Sequence, residues 1–229
     1  MCIRDSNTYS FQTLTAAFLM SGGSHEFIVY NSSSPTNYYK YHIFTGTSSF
    51  TLANPSSSAT DFALMMVGGG GGGGGYPSSY RGGGGGGAGG LITRTGPSLG
   101  LSAGTYNMTI GAGGYGYYTP NPNPSYSNQQ SSQQGFETHI TPPTSPTSYN
   151  LRAYGGGAGG TYSGYYTNTG SFVPEPAGAG TGGPGGSGGG SYSHYNVSST
   201  QPNVHPGGSG VGGQGNPGGG NTFYQPPGN

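Results

Sequence analysis

Asp61-Phe62-Ala63-Leu64-Met65-Met66-Val67 runs without a spacer into Gly68-Gly69-Gly70-Gly71-Gly72-Gly73-Gly74-Gly75. After Asp61 the first half is continuously apolar, too short for a typical helix and bounded by glycine, so it reads as a buried strand. The second half loses more conformational entropy on ordering than any other eight residues would. A flexible linker is one reading of such a run. The tract is pure glycine rather than a Gly/Ser mixture, however, and it begins where an apolar strand ends. Both features point to a scaffold in which glycine is required.

Polyglycine II meets that requirement. This left-handed helix has three residues per turn, rises about 3.1 Å per residue and makes no internal hydrogen bonds. Its N–H and C=O groups point outward and can pair with parallel or antiparallel neighbours. A Cβ on a contacting edge would hold two backbones apart, as at the collagen axis. Eight residues span about 25 Å at that rise. The buried backbone groups would then all find partners.

Glycine divides the chain at Gly68. Only Gly22, Gly23 and Gly46 precede it, out of 53 glycines in 229 residues. The organisation expected is a β-rich N-terminal region over 7–67 and a glycine-rich domain over 68–229. In the first region His25–Tyr30 is a strand candidate. Tyr39–Phe44 and Phe50–Leu52, joined through Thr45-Gly46-Thr47, suggest a hairpin, and Asn54–Ser58 reads as loop. In the second, glycine blocks over 82–90 (with Ala88), 111–114, 155–160, 178–190 and 207–220 alternate with Tyr/Ser/Asn/Pro loops such as Tyr115–Pro146. Gly90–Arg94, Gly104–Ile110 and Leu151–Tyr154 interrupt them as strand-like pieces. No stretch has helical periodicity. The fold class expected is all-β with polyglycine II: a short β-hairpin region, then a bundle of glycine-rich extended helices joined by long loops.

Met1–Ser6, MCIRDS, back-translates to the transposon end used in preparing sequencing libraries, and we set it aside as an adapter artefact. This removes the one cysteine, Cys2, and with it any inference about redox compartment. It also suggests that the true N-terminus is missing, and the Gln-Pro-Pro-Gly-Asn ending suggests the same of the C-terminus.

Five basic and five acidic residues give zero formal net charge, which argues against nucleic acid as a partner. The longest apolar run, Phe62–Val67, is far short of the roughly 20 residues of a membrane helix. His25, His42, His139, His194 and His205 lack ligand spacing, and no glycine tract is followed by the Lys-Ser/Thr of a phosphate-binding loop. We therefore expect no enzyme, metal or cofactor; His42 reads as a strand-face residue. The remaining chemistry is aromatic. Tyr76, Tyr80, Tyr115, Tyr117, Tyr118, Tyr162, Tyr165, Tyr166, Tyr192 and Tyr195 are the candidate receptor-binding residues, because Tyr offers large contact area at low entropy cost. The competing role for each ring is to cover the edge of the glycine slab.

From Tyr41 onward, to about residue 229, the chain resembles the glycine-rich domain of phage tail and tail-fibre proteins. Tyr41–Thr45 with Ser49–Leu52 looks like its opening hairpin, and Asp61–Val67 with the following tract like its central strand. Ser102–Gly114 is the closest match; Gly84–Leu91, Ala153–Gly160 and Gly215–Gly219 fit its other repeats. The adhesins at the tips of T-even-type tail fibres are similar in their glycine tracts, which stack as polyglycine II helices. The resemblance implies a virion tail-fibre location outside the cell, other tail-fibre subunits as neighbours, and binding of a host-cell surface protein or glycan. Two alternatives stand beside it. One is a disordered Gly/Tyr-rich protein, suggested by the prion-like Ser125–Gln134. The other is a structural glycine-rich protein of a virion or cell wall.

Overall fold

The computed structural model describes residues 19–30, 38–53, 63–75, 82–95, 103–118, 131–142, 151–161, 164–167, 169–174, 180–192 and 204–222. Among these there is no helix. The strands are β1 (Leu19–Ser21), β2 (His25–Tyr30), β3 (Tyr38–Ile43), β4 (Ser48–Ala53), β5 (Ala63–Val67), β6 (Leu91–Thr95) and β7 (Gly104–Thr109). They continue with β8 (Thr138–Thr141), β9 (Arg152–Ala153), β10 (Gly164–Tyr166), β11 (Phe172–Pro174), β12 (Val204–His205) and β13 (Asn221–Thr222). All pair antiparallel, and the part described is all-β.

The main sheet has the order β1-β4-β7-β8-β9. Alternation explains it. Phe50 and Leu52 in β4 and Tyr106 and Met108 in β7 are buried, while Ser49, Thr51, Thr105 and Asn107 between them are exposed. The inner face joins Ile140, Leu151 and Ala153 in one core. Phe50 and Tyr106 are cross-strand partners whose rings stack 5.1 Å apart. On the outer face Thr51 and Thr105 hydroxyls meet at 3.1 Å. A β5–β6 hairpin covers the core from the other side, with Met66 and Ile92 opposite each other and both buried.

Three expectations change. Ala63–Val67 is a strand, but buried on one side only: Met66 faces the core while Met65 and Val67 face out. Asp61 and Phe62 lie outside the described residues, as do residues 54–60. The expected hairpin between Tyr39–Phe44 and Phe50–Leu52 does not form. β3 pairs with β2 in the register His25↔Ile43, and β4 pairs with β1 and β7. A Thr-Gly-Thr turn permits a hairpin, but it does not outweigh the match of β4's apolar face to β7. Finally, Tyr115–Pro146 is not one loop. Tyr115–Tyr118 extends the preceding glycine tract, Ser131–Phe136 is a further extended tract, and β8 follows it.

His42 does lie on a strand, with Nδ1 2.8 Å from the Gly22 carbonyl. Gly68 is a change of backbone conformation inside one packed unit, since strands from both sides of it share the main sheet and its core.

Beyond the sheet the extended tracts pack side by side through backbone hydrogen bonds at every third residue. Gly68, Gly71 and Gly74 donate to Gly90, Gly87 and Gly84. Gly69 and Gly72 donate to Phe136 and Gln133. Gly70 and Gly73 accept from Gly114 and Tyr117. The 154–161 tract is central. It accepts from Gly84, Gly87 and Gly90, and donates from Gly156 and Gly159 to Gly69 and Gly72. It also bonds the 180–186 and 187–192 tracts through Gly155, Gly157, Ala158 and Gly160. Gly155 to Thr161 are all buried. An added Cβ at Gly71, Gly74, Gly156 or Gly159 would fall far inside contact distance of a neighbouring carbonyl, so only glycine permits this approach.

Candidate functional site

The same three-residue period decides which side chains reach the surface. Along 111–118, an added Cβ at Gly111 or Gly114 would strike the Phe136 or Gln133 carbonyl. Gly113 and Gly116 lie over the carbonyls of Gly70 and Gly73, where a Cβ would sit 3.6 and 3.5 Å away. The remaining set is Ala112, Tyr115 and Tyr118, and all three are exposed. Tyr115 is 41% and Tyr118 60% exposed. Tyr115 and Tyr118 lie three residues apart on the same edge of this tract.

Beside this edge is a floor almost free of side chains. Gly70, Gly73, Gly113 and Gly116 contribute only backbone, and of the four only Gly116 and its partner Gly73 border Tyr117. Tyr117 is half-buried, its ring against Gly75. The site is therefore a backbone surface rimmed by phenol rings. Its described residues carry no charge, and its backbone is held by hydrogen bonds between tracts.

The other candidates part ways. Tyr192 is fully buried, packed on Gly180 with its ring 6.4 Å from that of His205. It covers the slab and presents no face to a ligand. Tyr165 and Tyr166 lie in β10 opposite Val173 and Phe172 of β11. Tyr76, Tyr80, Tyr162 and Tyr195 lie outside the described residues. The structure thus brings together Tyr115, Tyr117 and Tyr118 and sets Tyr192 apart.

Sequence reasoning passed over three features. Phe136 and Tyr154 are partly exposed aromatics at tract ends. The Gln214 side chain accepts from Tyr154 N–H and donates to the Arg152 carbonyl, both at 2.9 Å, where β9 becomes a tract. Glu137 lies 2.7 Å from the Arg152 guanidinium and 3.4 Å from His139 Nδ1 on the β8–β9 edge. The exposed aromatics had a signal in being flanked by glycine; the Gln214 clamp spans about 60 residues and had none.

Comparison with known families was decisive for class. The model of the family described as the glycine-rich domain matches residues 45–229. The chain belongs to this glycine-rich domain family. The match begins at Thr45, so β2 and β3 precede the glycine-rich domain and β4 opens it. No curated protein and no solved structure matches the chain.

Proposed function

We propose that this glycine-rich domain is the receptor-binding part of a phage tail fibre, a polyglycine II bundle that presents tyrosines to a host-cell surface protein or glycan. The bundle reading is supported by the hydrogen-bond period of three and by bonding from tract to tract in both parallel and antiparallel senses. The binding reading rests on one observation: Tyr115 and Tyr118 stand exposed on an edge whose backbone is locked by its neighbours. Rings held this way lose little further entropy on binding. Recognition is by multipoint contact, without catalysis, in a virion outside the cell and next to other tail-fibre subunits.

The test is adsorption. Labelled chain is incubated with a panel of bacterial strains, and the genes flanking its own are read. Saturable binding to some strain, lost when Tyr115 and Tyr118 are both changed to Ala, together with tail or baseplate neighbours, is the expected result. Absence of binding to every strain, with neighbours unrelated to tails, overturns it.

A further inference from the structure

Three tracts build the edge that carries Tyr115 and Tyr118. The 111–118 tract bonds to the 68–75 tract through Gly114 N–H to the Gly70 carbonyl and Tyr117 N–H to the Gly73 carbonyl, both at 2.8 Å. On its other flank the Ala112 and Tyr115 carbonyls accept from Phe136 and Gln133 N–H, both at 2.9 Å. The edge is thus tied on two sides, and it offers an exposed ring at Tyr115 and again three residues on at Tyr118. Between the two lie Gly116, which has no side chain, and Tyr117, whose ring turns in against Gly75. No other side chain of the tract separates them.

The chemistry of this edge narrows its ligand. Residues 68–75, 111–118 and 131–136 include no Asp, Glu, Lys, Arg or His. Glu137 follows the third tract, but it is paired with Arg152 at 2.7 Å and its backbone lies beside Gly111, at the end of the tract away from Tyr118. A phosphate, an acidic sugar or a charged peptide would therefore meet no counter-charge beside the rings. What the rings do offer is the negative face of an aromatic quadrupole. That face attracts C–H groups bearing partial positive charge, such as the axial C–H groups on one side of a pyranose ring. The sugar's hydroxyls then stay at the rim, where phenol oxygens and water can bond them. Binding energy between proteins concentrates instead in well-packed pockets, and the glycines on either side of Tyr115 wall none.

We infer that the ligand of this edge is a neutral polysaccharide whose sugar rings stack on Tyr115 and Tyr118. This rests on the receptor-binding reading above and narrows it to one class of receptor. Each stack by itself is weak, adding about two- to tenfold in affinity. A polymer of repeating units can engage both rings, and the second contact is then intramolecular. Affinity should rise with the length of the glycan for that reason. Since no charge pairs form, it should not depend on salt.

Adsorption of the labelled full chain to a binding strain, before and after the cells are treated with periodate or with proteinase, tests this. Periodate cleaves the vicinal diols of sugars. Binding is expected to be lost after periodate, to survive proteinase, and to be the same at low and high salt. Tyr115→Phe and Tyr118→Phe should keep it, because the ring faces carry it. Tyr115→Ala and Tyr118→Ala should each lower affinity about fivefold, with amide protection at Gly72 and Gly114 reporting that the tracts are intact. Binding that proteinase removes, that survives periodate, or that falls steeply with salt overturns the inference and leaves the receptor-binding reading standing. Binding to no strain, or alanine variants that bind like wild type, overturns both.

Discussion

Gly71 donates its N–H to the Gly87 carbonyl at 2.8 Å, and a methyl group on Gly71 would collide with the carbonyl of Gly157 on a third tract. Two residues on, a methyl group on Gly73 would meet no atom of the described residues within 4 Å. Neighbouring glycines in one homopolymeric run therefore have opposite requirements.

Gly71→Ala is expected to destabilise the fold by about 2–3 kcal/mol or more, since the overpacking strikes backbone that cannot move alone. Gly73→Ala is expected to be neutral or to stabilise by up to about 1 kcal/mol, through the entropy of the unfolded chain. Urea denaturation midpoints at low protein concentration compare the two. Equal losses would contradict the three-residue period.

Backbone exchange gives an independent reading of the lattice. Gly71, Gly74, Gly156 and Gly159 each donate to a neighbouring tract, so their amides should exchange slowly and together. Each bond contributes only about 0.5–1.5 kcal/mol net, and protection should therefore be lost cooperatively in urea. Random-coil exchange at these positions would remove the scaffold.

The Gln214 clamp predicts a local defect. Gln214→Ala removes the partners of Tyr154 N–H and of the Arg152 carbonyl. A cost of about 1–3 kcal/mol is expected, with faster exchange at Tyr154. Leu91, which donates to the Gln214 backbone carbonyl, should change little.

The tyrosines should divide by burial. Tyr192→Ala empties a fully buried site and should cost about 3–5 kcal/mol. Tyr118→Ala should fall within about 0.5 kcal/mol of wild type and alter cell binding only. Thermal melts of the two variants check this directly. A large loss from Tyr118→Ala would make its ring structural.

Several strands were legible in the order of residues. His25–Tyr30, Phe50–Leu52 and Gly104–Ile110 carry apolar alternation or β-branched and aromatic runs, and each falls in or on an observed strand. β8 was not, because Thr138-His139-Ile140-Thr141 is too short to show a pattern and is placed by pairing with β7. Ser131-Ser132-Gln133-Gln134 reads as low complexity, yet Ser131, Ser132 and Gln133 lie buried among the tracts with Ser132 Oγ donating to the Gly159 carbonyl. Its composition hides its role because what the lattice uses there is mostly backbone.

Sequence by itself determined the family, the zero net charge, and the junction where an apolar strand becomes a glycine tract, because these depend on residue type and adjacency. It also marked Tyr115, Tyr117 and Tyr118 as candidates. Only the tertiary structure decided that Tyr192 is interior and Tyr118 exterior, that β3 turns back to β2, and that Gly71 is closed while Gly73 is open. Identical residues in one run carry no local signal to distinguish them. Their difference comes from which neighbouring backbone each position of the three-residue period faces, and those neighbours are far away in the chain.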